Sequence, residues 1–407
     1  ITNAYLSGAV NDISFVPIFI GYDRIVEESS YISEMGGATK KKESLLSLIK
    51  SRRLLKKRYG RVYLAFNDPI SLKDLIESTG YTRETIPKDR LRQLQYDLAY
   101  RIVYSINQIS VVSTFSLVSA AFLASPQGAL THGELMKICR IFMGWLSSTD
   151  IRFSNALNNP PPAITEALNA LKEENLIEEI KEESDEPDFE KVFFVPEEKR
   201  LTLEFYKNNI LHFFIPASFV ATSILSTPEG RTTPDLIIDD YTYFRKLFKY
   251  EFVYDLEFTD EQRVKQALDY FTRNEYINLD GATITVTESG KEPLTLFAEL
   301  VRNFMESYLV TSEALQNYLA RGAKSERDLI KRVNVTGQRM LKKKEIDRIE
   351  ALSKINFQNA IELLTHEQVL SQTTENEGKR PVKYYSPGPV ANTFTDRIKR
   401  YLTRTGG

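Results

Sequence analysis

Two long stretches without a charged residue limit what this chain can fold into. Ile102 to Gly133 and Asn208 to Pro228 contain no Asp, Glu, Lys or Arg, although charged residues make up 27% of the sequence. Within them run two apolar segments, Ile109 to Ala124 and Ile210 to Leu225. Each falls short of the roughly 20 residues that a bilayer-spanning helix needs. Serines and threonines interrupt the first, and Pro216 is expected to break the second. The reading is two buried core helices, with a membrane-surface helix as the alternative.

A second apolar segment has a different character. Phe15-Val-Pro-Ile-Phe-Ile-Gly-Tyr22 carries no charge and six apolar residues in eight. That pattern suits a strand covered on both faces, as in parallel α/β sheets. Beyond it Gly36 and Gly37 precede Lys40, Lys41 and Lys42. Such a loop lets backbone and ammonium groups approach an anion closely. Glu43 to Arg58 reads as a basic amphipathic helix, Gly60 stops it, and Val62 to Phe66 follows as a strand.

From about residue 88 helices dominate. An amphipathic helix followed by a hairpin recurs in Ala163 to Leu203, Gln262 to Val286 and Asn356 to Tyr385. Helix-plus-wing units are common in nucleic-acid-binding proteins, but the loop from Glu178 to Glu190 is strongly acidic and would repel phosphates. The net charge of -2 likewise argues against a nucleic-acid partner. Small hairpins used as packing units are the preferred reading. The single cysteine, Cys139, excludes an intramolecular disulfide, and no Cys/His cluster indicates a metal site. With 407 residues, more than one hydrophobic core is expected. The expected division is 1–80 as the end of an α/β domain and 81–407 as a helical domain with small β-hairpins, with a sub-boundary near 228–240.

Val16-Pro-Ile-Phe-Ile-Gly-Tyr-Asp-Arg24 resembles the fourth sequence block of glycerol-3-phosphate acyltransferases of the bacterial membrane-associated type. Glu34-x-x-Gly37-Ala-Thr-Lys40-x-Lys42-Glu43 resembles the motif that follows it there. Further similarity runs through Gly60 to Ile70, Leu203-x-x-Tyr206-Lys-Asn208-Asn209-x-x-His212, and Glu350-Ala-Leu-Ser353-Lys-x-Asn356-x-x-Asn359. The resemblance implies transfer of a fatty acyl group from acyl-CoA or acyl carrier protein to the sn-1 position of glycerol-3-phosphate in phospholipid synthesis. It implies no further cofactor and a peripheral place on the cytoplasmic face of the cell membrane. By the same resemblance Pro17, Arg24, Lys40 and Lys42 are the candidate substrate-binding residues.

In that family a His-x4-Asp motif supplies the general base. Here His132, His212 and His366 are followed five positions on by Lys137, Ala217 and Ser371. The chain is therefore expected to be the C-terminal part of a larger enzyme, with no catalytic residue of its own and no activity alone. Pro228-Glu-Gly-Arg-Thr232 is similar to a phosphate-binding block of the family, but it falls far downstream of the Val-Pro strand and reads as a turn between helices. A dihydroxyacetone-phosphate acyltransferase shares the same blocks. A non-catalytic helical scaffold or winged-helix-like binding protein is the alternative of another class.

Overall fold

Both uncharged stretches fold into helices enclosed by the rest of the chain. In the computed structural model, which describes residues 2–23, 61–126, 128–180, 191–377 and 380–403, the Thr114–Ala124 helix is buried at every position. The second stretch belongs to a continuous helix, Arg200–Leu225. Pro216 lies inside it rather than ending it. A proline removes one helical hydrogen bond, and packing on all sides outweighs that loss. Trp145 Nε1 donates to the Phe213 carbonyl (2.9 Å) in the same turn. The helix reaches membrane-crossing length and hydropathy, but 72% of its apolar window is buried inside the fold.

These two helices begin the first two of three similar units. In each unit a helix is followed by a short strand, two more helices and a hairpin. The first contains Thr114–Ala124, strand Ala129–Thr131, helices His132–Ser147 and Pro160–Glu173, and strands Glu178–Glu179 and Val192–Phe194. The second contains Arg200–Leu225, strand Arg231–Thr232, helices Pro234–Leu247 and Asp260–Arg273, and strands Ile277–Asp280 and Thr283–Val286. The third contains Arg302–Tyr318, strand Lys324–Ser325, helices Glu326–Lys342 and Lys354–His366, and strands Leu370–Glu377 and Arg380–Pro387. In all three the lone strand pairs antiparallel with the second hairpin strand, giving the same three-stranded order. This is a winged-helix-like topology, repeated three times.

Local chemistry repeats with it. Thr131, Thr233 and Ser325 stand where the lone strand ends, and each side chain caps the following helix through the N–H three residues on. After the third helix of each unit, Asn175, Glu275 and Gln368 take positive φ values of 56°, 59° and 58°. The next N–H then reaches back five residues, from Leu176 to Leu171, Tyr276 to Phe271 and Val369 to Leu364. That is the Schellman closure, and it turns the chain into the hairpin. Pro228–Gly230 forms a 3-10 turn between two helices, as its sequence indicated.

Gly290 and Gly388 follow the second and third hairpins. A Cβ there would stand 1.9 Å from the Tyr276 carbonyl oxygen and 2.1 Å from that of Gln368. Gly290→Ala and Gly388→Ala are each expected to lower stability by about 1–3 kcal/mol. Unchanged denaturation midpoints would show that these junctions shift freely.

The N-terminal segment is built differently from expectation. Strands Ser14–Phe15 and Ile70–Ser71 pair antiparallel, as do Ile18–Tyr22 and Val62–Phe66. A small core of Tyr5, Leu72, Leu75, Ile76, Leu94 and Leu98 lies apart from the large helical core. The Val-Pro strand is thus neither parallel nor covered on both faces among the described residues. A continuous apolar run does not reveal strand direction or how many faces find a cover. The helix read over Glu43 to Arg58 lies outside the described residues.

Candidate functional site

The Ile18–Tyr22 and Val62–Phe66 strands form a two-stranded antiparallel ribbon. Its register sets Ile18 opposite Phe66, Ile20 opposite Leu64 and Tyr22 opposite Val62. Directly opposed residues share a face. All six side chains are exposed, between 40% and 62%. The other face carries Phe19 opposite Ala65 and Gly21 opposite Tyr63, all at least partly buried.

Pro17 is buried at the base of the ribbon, just before the first paired residue. A proline is tolerated there because no ladder hydrogen bond is asked of its nitrogen. Its carbonyl accepts from the Asn67 N–H (3.0 Å), and the Asn67 side chain donates to the Ser105 carbonyl (2.9 Å) on the Lys88–Gln108 helix. Asn67 thus ties the base of the ribbon to that helix.

At the other end Asp23 closes the ribbon. One carboxylate oxygen accepts from the Arg61 N–H (2.9 Å) and the other from the Tyr63 hydroxyl (2.8 Å), while the Asp23 N–H donates to the Arg61 carbonyl (3.0 Å). Burial and the Asp23 carboxylate push the Tyr63 hydroxyl up to about 12. The Asp23 carboxylate is thus engaged with Arg61 and Tyr63 at the end of the ribbon. Arg24, Lys40 and Lys42 lie outside the described residues, so of the four candidate residues only Pro17 has a described position.

The Leu203-to-His212 block packs its Leu203, Tyr206 and Lys207 side chains into the helical core, while Asn208 and Asn209 are exposed. His212 Nε2 is 3.0 Å from the Ser110 Oγ and 3.1 Å from the Asn107 carbonyl. Ser110 Oγ also donates to that carbonyl (2.8 Å). A Ser–His pair at this distance invites comparison with a nucleophile and its base. The carbonyl decides against it, since Nε2 must carry a hydrogen to satisfy Asn107 and cannot then accept the serine proton. Burial lowers His212 to about 4, so the imidazole is neutral at pH 7. His212 thus has a structural place between two helices.

Two groups not anticipated from the sequence join this block to the rest of the core. Lys207 Nζ contacts the Glu204 carboxylate (2.8 Å), the Leu300 carbonyl (3.0 Å) and Asn303 Oδ1 (3.3 Å), and Asn303 donates back to Glu204 (2.9 Å). Arg200 pairs with Glu350 (2.7 Å), the first residue of the Glu350-to-Asn359 block. The i,i+3 spacing of Glu204 and Lys207 in an apolar helix was the available signal. His212 also lines a cavity of about 480 Å³ between helices of the first two units and the Lys88–Gln108 helix.

Comparison with known proteins bears on the Leu203-to-His212 and Glu350-to-Asn359 blocks. Residues 31–373 match the family described as the glycerol-3-phosphate acyltransferase C-terminal region. The chain is 27% identical over 293 residues to a glycerol-3-phosphate acyltransferase of Pseudoalteromonas translucida, covering 70% of this chain and 35% of that protein. It is 28% identical over 327 residues to one of Shewanella woodyi, covering 78% and 38%, and 25% identical over 325 residues to one of Pasteurella multocida, covering 77% and 38%. The chain thus spans little more than a third of the length of these curated relatives.

Proposed function

The chain belongs to the family of glycerol-3-phosphate acyltransferase C-terminal regions, and on that premise we propose that the whole protein moves a fatty acyl group from acyl-CoA or acyl carrier protein to the sn-1 hydroxyl of glycerol-3-phosphate, for phospholipid synthesis. The family match carries this reading, because it extends from residue 31 through both helical-core blocks. A histidine of a His-x4-Asp motif takes the hydroxyl proton as the oxygen attacks the thioester carbonyl. None of the three histidines of this chain stands in such a motif, so that base comes from another part of the protein. This chain alone is then inactive.

The ribbon supports an assembly role. Its bare apolar face suits burial under the remainder of an acyltransferase domain. Residues 1–80 would complete that α/β domain, and 81–407 would form the helical domain behind it. The substrate phosphate is a dianion, and Lys40 and Lys42, with Arg24, supply fixed cations while Pro17 sets the ribbon's geometry. The reaction needs no cofactor, and the amphiphilic donor and product favour a peripheral position on the cytoplasmic membrane surface.

In the whole enzyme Lys40→Ala or Lys42→Ala should raise KM for glycerol-3-phosphate more than KM for the acyl donor. A lost charge-assisted contact corresponds to roughly a tenfold to hundredfold loss in kcat/KM. Lys41→Ala should cost much less. Equal, small effects from all three substitutions would overturn the assignment of the lysines. Faster turnover of dihydroxyacetone phosphate would move the reading to that substrate. The repeated winged-helix-like topology favours a second reading as a binding module, tested by DNA binding at moderate salt.

A further inference from the structure

The 480 Å³ cavity has walls of one kind and a mouth of another. Trp145, Phe213, Tyr241 and Tyr254 supply aromatic wall, and Asp150 and Glu257 stand exposed at its lining. A third carboxylate, Asp255, is already engaged: it accepts from the Tyr104 hydroxyl (3.1 Å) and the Glu257 and Phe258 N–H groups (2.7 and 3.2 Å), and pairs with Arg263. Arg263 also donates to Gln266 (2.7 Å). The lining's one guanidinium is thus neutralised locally, and Asp150 and Glu257 leave the cavity net negative.

The uncharged polar groups include further acceptors. His212 uses its Nε2 hydrogen on Asn107 and Ser110, which leaves Nδ1 as a lone pair. Pro216, also in the lining, has no N–H to offer the His212 carbonyl four residues before it. Tyr254 is 9% exposed and its hydroxyl has no hydrogen-bond partner among the described residues. Two aromatic rings of the lining already carry cations: the Arg245 guanidinium lies 4.9 Å from the Tyr254 ring centroid and that of Arg263 4.2 Å from that of Phe258.

We propose that this cavity binds an organic ammonium ion, held against its aromatic wall at Phe213 and drawn in by Asp150 and Glu257. Aromatic walls with an acidic rim are the chemistry that recognises such a cation. The same chemistry disfavours phosphate and carboxylate ligands, so this site is separate from the one that would hold glycerol-3-phosphate. The ammonium group belongs either to a small soluble amine or to the headgroup of an aminophospholipid.

The chain contains a single tryptophan, Trp145, in the cavity wall, so its fluorescence reports directly on occupancy. The purified chain would be titrated with choline and with 3,3-dimethylbutan-1-ol, its uncharged isostere. Saturable change with choline at concentrations at least about fivefold lower than with the alcohol is expected. The combined Asp150→Asn, Glu257→Gln variant should erase that preference while leaving the alcohol curve in place. Equal response to both probes in the unmodified chain, or response to neither, would overturn the proposal without depending on any variant. Vesicles with ethanolamine or with glycerol headgroups identify the source: a response restricted to the former points to lipid, and choline binding without any vesicle response points to a soluble amine.

Discussion

Replacing Lys207 by alanine should lower stability by about 3–5 kcal/mol, the cost of leaving a buried carboxylate without its counter-charge. Lys207 and Glu204 are 2% and 3% exposed, one turn apart in the first helix of the second unit. Removing the ammonium leaves Glu204 with Asn303 alone in a nearly water-free site. Glu204→Ala should cost a similar amount by stranding the lysine. Replacing both together, with Lys207→Met and Glu204→Leu, should recover most of the loss, because two apolar groups need no partners. The denaturation midpoints of these three variants test the idea. A single-variant loss below about 1 kcal/mol would mean that water reaches the pair, as at a surface ion pair.

The second large effect appears only when pH is varied. Burial raises Glu251 to about 7 from the usual 4.5, despite the hydrogen bond from Asn359 (2.9 Å). The folded chain therefore keeps a proton that the unfolded chain gives up, and this contribution is full below pH 4.5 and lost as pH rises through about 7. His212, lowered from 6.5 to about 4, has the opposite sign: its contribution is full above pH 6.5 and lost as pH falls through about 4. Each shift corresponds to roughly 3 kcal/mol. In the unmodified chain the two slopes oppose one another between pH 4.5 and 6.5. Glu251→Gln should expose a steep loss of stability on acidification, and His212→Asn a loss on going from acid to neutral pH. Identical pH profiles for both variants and the parent would contradict the pairing.

How much of this was legible beforehand differs from segment to segment. Ile109–Ala124 and Ile210–Leu225 were readable as core helices because a charge-free run of that length has to be hidden from water, whatever surrounds it. The helix-hairpin recurrence was readable at Ala163, Gln262 and Asn356, where amphipathic spacing is strong. The preceding strand of each unit was not. Ala129–Thr131, Arg231–Thr232 and Lys324–Ser325 are two or three residues long, and a segment that short carries no periodicity. Pro216 misled for a related reason, since one lost hydrogen bond is decided by neighbours far away in sequence. At the site, Pro17 was identified from its motif. The role of Asp23 was not legible, because its partners Arg61 and Tyr63 lie about 40 positions on.

By itself the sequence determined the local terms: which stretches must be buried, where Thr131, Thr233 and Ser325 start helices, and which motif places the chain in its family. Those depend on neighbours within a few residues, where side-chain chemistry acts directly on the adjacent backbone. Only the tertiary structure decided that the Val-Pro strand pairs antiparallel with one face bare, that Lys207 meets Glu204 and Asn303, and that His212 shares a cavity with Trp145, Asp150 and Glu257. Apart from the Glu204–Lys207 contact, which lies within one helix, each of these joins residues on different elements. Strand direction, ion-pair partners and cavity walls are set by how whole elements pack, and no local pattern encodes that.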